Sequence, residues 1–133
     1  MKFNKPYFIA STNNEAQEQK KILVSKYGDF AVNDSDVLIV LGGDGFMLQA
    51  IKDYMDKKIP FFGINYGSIG FLMNSVADDD LIKRLNASQS VQLSPLVMTA
   101  YDKNDTLHTA KAINEVALLR QTHQAAKIQV SID

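Results

Sequence analysis

At 133 residues, 46% hydrophobic and 22% charged, the chain has room for one ordinary domain, or a small domain and part of another, and its composition excludes a disordered or membrane-embedded protein. Fourteen Lys and Arg against fifteen Asp and Glu leave a formal net charge of -1, which gives no bulk attraction to nucleic acid or an anionic membrane. The lack of cysteine excludes disulfides and thiolate metal sites, and with no signal-like or membrane-length apolar segment the chain reads as cytoplasmic.

Tyr7 to Ala10 is a short aromatic and β-branched run that predicts a strand. In the following STNNEAQEQKKILVSKYG, Thr12 and Glu15 have the spacing of a capping box, and Gly28 stands where a helix C-terminal glycine belongs. Val37 to Leu41 is a continuous run of β-branched residues and leucine between NDSD and GGDG, the pattern of a central strand buried on both faces. Phe46, Met47, Ala50, Ile51, Tyr54 and Met55 then recur every three or four residues, so a helix with one apolar stripe follows, and Gln49, Lys52, Asp53 and Asp56 turn away. Ile59 to Ile64 reads as the next strand, limited near its start by Pro60. This alternation predicts an α/β fold, a Rossmann-like parallel sheet with flanking helices and right-handed crossovers.

Asp78, Asp79 and Asp80 precede LIKRLNAS, a short helix whose dipole an acidic first turn suits, although such a triplet could also hold a metal. After Ser94-Pro95 the texture changes to alternating apolar positions with turn residues at Lys103 to Asp105. That predicts antiparallel strands of an all-β second domain, including AINEVALLR and AAKIQVSID. The division falls at 1–91 for the α/β nucleotide-binding domain and 92–133 for the start of the β-rich one, which reads as truncated. His108 and His123 have no companion ligands at metal spacing and read as surface or strand residues.

Three features carry chemistry. At Gly42-Gly43-Asp44-Gly45 a strand meets a helix, and side-chain-free residues there let backbone approach an anion, most commonly phosphate, or take positive φ. A carboxylate beside phosphate is repulsive unless a cation intervenes or the carboxylate has chemical work, so Asp44 either shapes the turn as a helix cap or is presented to a ligand. The second feature is GINYGSIGFLMN, Gly63 to Asn74, at the end of a neighbouring strand, where ligands bind in open α/β sheets. Asn65, Gly67 and Phe71 are its candidates, with Phe71 either core or, beside Leu72, an apolar surface for a nucleobase. It is neither GxGxxG nor a P-loop. The third is Asn114-Glu115, a polar pair in an apolar, strand-like context that needs partners if buried, such as ribose hydroxyls, adenine edges or nearby backbone.

Together GGDG, GINYGSIGFL and the later Asn-Glu pair resemble the NAD kinases in identity, order and approximate spacing. GGDG alone also resembles diacylglycerol, sphingosine and phosphofructo-kinases. A lipid or sugar kinase, or a noncatalytic nucleotide-binding module, is therefore the competing expectation. The resemblance implies transfer of the γ-phosphoryl of ATP, or of polyphosphate, to the 2'-hydroxyl on the adenosine ribose of NAD, giving NADP, with Mg²⁺ or another divalent cation. It implies that Asp44 is the base, that Gly42, Gly43 and Gly45 admit phosphates and sugar, that Phe71 lies against adenine, and that Asn114 and Glu115 bond the dinucleotide. It further implies a dimer or tetramer. Family members continue with a second GDG segment and a TPTGSTAY-like stretch that do not occur before Asp133, so this chain alone is expected to be weak or inactive.

Overall fold

The computed structural model describes residues 2–68, 70–77 and 80–133. Its chain forms two compact units, Met1–Val91 and Gln92–Asp133.

The first unit is built on three parallel strands in the order β1 (Pro6–Ala10), β2 (Val37–Gly42) and β3 (Phe61–Asn65). Between them run α1 (Asn14–Tyr27) and α2 (Asp44–Tyr54), and α3 (Leu81–Ala87) follows. All six residues of β2 are buried, as its unbroken apolar run requires of a strand covered on both faces. Each of its large side chains, from Val37 to Leu41, contributes about 1.5–3 kcal/mol of apolar burial.

Alternation divides the core. Val37, Ile39 and Leu41 join Phe8, Phe62 and Ile64 on one face, against Ala16 and Leu23 of α1 and Leu81 and Leu85 of α3. On the other face α2 buries Met47, Ala50 and Ile51, with Met47 over Gly63 and the Tyr54 ring edge-on to Tyr7 at 6.0 Å. The connections through α1 and α2 thus lie on opposite faces of strands stepping in one direction, so their hands differ. This corrects the expectation that both crossovers are right-handed. The strand itself supplies the reason, since β2 is apolar on both faces and each face needs a helix.

The α1 cap is also corrected. Asn13, not Thr12, is the N-cap, its side chain accepting from the Glu15 and Ala16 amides, while Gly28 ends the helix at φ 79° with its amide donating to Val24. At α3, Asp80 caps by accepting from the Lys83 amide at 3.1 Å, in line with an acidic helix start, and Asp78 and Asp79 lie outside the described residues. No helix among the described residues is long and apolar enough to cross a membrane.

In the second unit β4 (Leu96–Tyr101) and β5 (Leu107–Ala112) form an antiparallel hairpin. Asp102 organises its turn, one oxygen accepting from the Asn104 and Thr106 amides and the other facing His108 Nε2 at 3.2 Å. His108 therefore sits exposed on a strand. No strand forms beyond Ala112, which corrects the strand expectation for AAKIQVSID and for AINEVALLR after its first residue: from Asn114 onward the chain is exposed, with no partner strand to take its backbone groups.

Candidate active site

β2 and β3 end side by side, with Gly42 in register with Asn65, so the two glycine loops leave the same edge of the sheet. The Tyr66 amide donates to the Gly42 carbonyl at 2.8 Å, and Asn13 Nδ2 donates to the Tyr66 carbonyl at 3.0 Å, tying the start of α1 to the second loop. Asn65 folds that loop back on itself. Its Oδ1 accepts from the Gly67 amide and its Nδ2 donates to the Ser68 carbonyl, both at 2.9 Å. At Asn74 the chain rejoins the sheet, exchanging backbone bonds with Gly63 and Asn65 at 2.9 and 2.8 Å.

The glycines act by close approach. A Cβ on Gly67 would stand 3.2 Å from Gly43 Cα, and one on Gly42 would strike the Phe46 ring at 2.9 Å. Gly28 alone among the described glycines has positive φ, so no left-handed backbone explains Gly42 or Gly43. Gly45, exposed on the first turn of α2, has open space where a side chain would be.

Asp44 is the first helical residue of α2. The N-cap is Gly43, which offers no side-chain bond, so Asp44 does not cap the helix. Its carboxylate instead reaches across to the second loop, where Oδ2 accepts from the Phe71 amide at 2.7 Å and Oδ1 from the Leu72 amide at 3.0 Å. The helix N-terminus adds a favourable field for the negative charge. A carboxylate has about four acceptor positions, so both oxygens keep a lone pair for an incoming donor. Beside it the Phe71 ring is 99% exposed, which removes the core reading of that residue.

Gly42, Gly43, Asp44, Asn65, Gly67 and Phe71 are thus brought to one sheet edge, with Gly45 on the adjoining turn of α2. Asn114 and Glu115 lie in the second unit beyond β5 and are exposed, which corrects the reading of a buried pair in a strand. With nothing covering them they carry no desolvation cost and need no buried partner. Sequence reasoning missed Gly70 and Asn13, and read Leu72 for its apolar side chain where the structure uses its amide. The glycine immediately before Phe71 was the available signal, because the Asp44 carboxylate packs where its side chain would be. Among the described residues no three His, Cys, Asp or Glu side chains gather as a metal cage.

The family described as the ATP-NAD kinase N-terminal domain matches residues 3–89. An NAD kinase of Caulobacter vibrioides is 46% identical over 126 residues, 95% of this chain and 48% of the relative. An NAD kinase of Brucella suis is 44% identical, covering 96% and 49%, and one of Cereibacter sphaeroides 41%, covering 95% and 50%. The chain spans about half the length of the curated relatives it matches.

Proposed function

The chain belongs to the NAD kinase family, and from that premise we propose that it serves the transfer of the γ-phosphoryl of ATP, or of polyphosphate, to the 2'-hydroxyl of the adenosine ribose of NAD. The single observation that carries this reading is the Asp44 carboxylate, held at the meeting point of both glycine loops with lone pairs still open.

In this reading Asp44 accepts the proton of the attacking hydroxyl, a weak acid whose deprotonation helps the new ester bond late in transfer. Fixing both oxygens keeps the base in one orientation. Phe71 offers its exposed ring to the adenine, Gly43 and Gly67 let the two loops cross closely, and Gly45 leaves open space on the first turn of α2 for phosphate or sugar. Asp44 would help hold Mg²⁺ through water, with substrate phosphates as the other donors. When bound, that ion neutralises phosphate charge. Asn114 and Glu115 remain proposed contacts to the dinucleotide, and the segment with which family members continue supplies the rest of the site. We place the enzyme in the cytoplasm, in keeping with its nucleotide substrates, as a dimer or tetramer.

The test is phosphorylation by the intact protein, offered ATP and Mg²⁺ with NAD, diacylglycerol or fructose 6-phosphate. NADP formation is expected, and Asp44→Asn lowers its rate about 100-fold or more. Phosphorylation of another acceptor in place of NAD, or equal turnover by the variant, removes the reading.

A further inference from the structure

Gly70 lies directly under the Asp44 carboxylate. A Cβ built there would fall inside hard contact with Asp44 Oδ1 and 2.7 Å from its Cγ. The next two residues supply the amides that hold the two oxygens. Unlike Gly67, whose nearest neighbour is Gly43 backbone, Gly70 has the end of the Asp44 side chain as its three nearest atoms. A methyl group there meets the carboxylate first.

We propose that Gly70 is a positioning residue, whose lack of a side chain lets the Asp44 carboxylate lie across the Phe71 and Leu72 amides and so fixes the direction of its free lone pairs. The same clamp holds the backbone of Phe71 while its ring stands in solvent, so base and ring are set by one contact. The clamp depends on the carboxylate as well as on the glycine. An asparagine at 44 has one acceptor oxygen, and its NH₂ would face the second amide donor-to-donor. Asp44→Asn therefore disturbs the loop as well as removing a base, whereas Gly70→Ala keeps the carboxylate and moves it.

This inference rests on the kinase reading for its catalytic consequence but not for the clamp itself. Amide hydrogen exchange by NMR on the intact protein tests the clamp without any activity. In the wild type the Phe71 and Leu72 amides are expected to exchange at least tenfold more slowly than in Gly70→Ala, with the β2 amides protected in both. Asp44→Asn, which adds no bulk, is expected to free one of the two amides, so it decides the matter if Gly70→Ala fails to fold. In turnover, Gly70→Ala is expected to lower kcat about 100-fold, the scale of an ångström-sized misplacement, and to raise KM for NAD as Phe71 loses its fixed backbone. Unchanged protection of both amides in both variants, or wild-type kcat in Gly70→Ala, overturns the proposal. A wild type that forms no NADP overturns the kinase reading instead, and the exchange comparison still decides the clamp.

Discussion

The amide of Phe71 donates to Asp44 Oδ2 at 2.7 Å, across 27 residues of chain, while the ring of the same phenylalanine is 99% exposed. Backbone and side chain of Phe71 thus have separate roles, one fastened to a carboxylate and the other offered to solvent. A large apolar ring left uncovered beside a fixed polar group is the arrangement expected where an aromatic ligand stacks.

Removing that ring is expected to leave the fold intact. Phe71→Ala should change stability by less than about 0.5 kcal/mol, as for an ordinary surface position, because the amide bond to Asp44 survives the substitution. Nucleotide affinity should fall by about 1–3 kcal/mol, the scale of base stacking on an aromatic side chain. Thermal melting and isothermal titration with NAD separate the two. A large drop in melting temperature with unaltered affinity would return Phe71 to a packing role.

Asn65 shapes the second loop through both ends of its amide. Asn65→Ala deletes two hydrogen bonds of about 0.5–1.5 kcal/mol each, softened by the exposure of the loop. The expected outcome is a loss of about 1–2 kcal/mol in denaturant unfolding, together with faster exchange of the Gly67 amide. No change in either measurement would mean that the loop is held by Asn13, Asn74 and Asp44 without it.

Tyr7 provides a pH probe remote from the site. Its hydrogen bond with Tyr54, then burial, then the charges of Tyr54 and Asp29, push its phenol from an ordinary 10.0 up to about 12. The folded value is the raised one, so the neutral phenol favours the folded state. Its contribution is complete below pH 10 and is lost as pH rises from there through about 12. Ultraviolet titration should show one of the five tyrosines ionising near 12, moving back toward 10 in Tyr54→Phe. A wild-type titration with every tyrosine near 10 would contradict the contact.

Much of the fold was legible because short-range patterns carried it. The run from Val37 to Leu41 could only be a strand covered on both faces, and the spacing of Met47, Ala50 and Ile51 could only be one helix face. Pattern failed where a partner was needed. Alternation in AINEVALLR and AAKIQVSID suggested strands, yet a strand exists only by pairing, and nothing pairs beyond Ala112. The opposite hands of the two crossovers were likewise hidden, since a sequence shows that both faces of β2 are apolar but not which helix takes which.

For the site, the sequence by itself determined that two glycine loops follow adjacent strand ends and that a single carboxylate stands in the first of them. That much is chemistry of residue type and order. Only the tertiary structure decided what Asp44 touches. Sequence reasoning weighed a helix cap against a presented base, both local to its own turn, whereas the carboxylate binds amides 27 and 28 residues away. The parallel pairing of β2 with β3 brings those amides within reach, and the missing side chain of Gly70 lets the carboxylate close on them. A hydrogen bond between distant residues follows from the register of the sheet, which no spacing along the chain encodes.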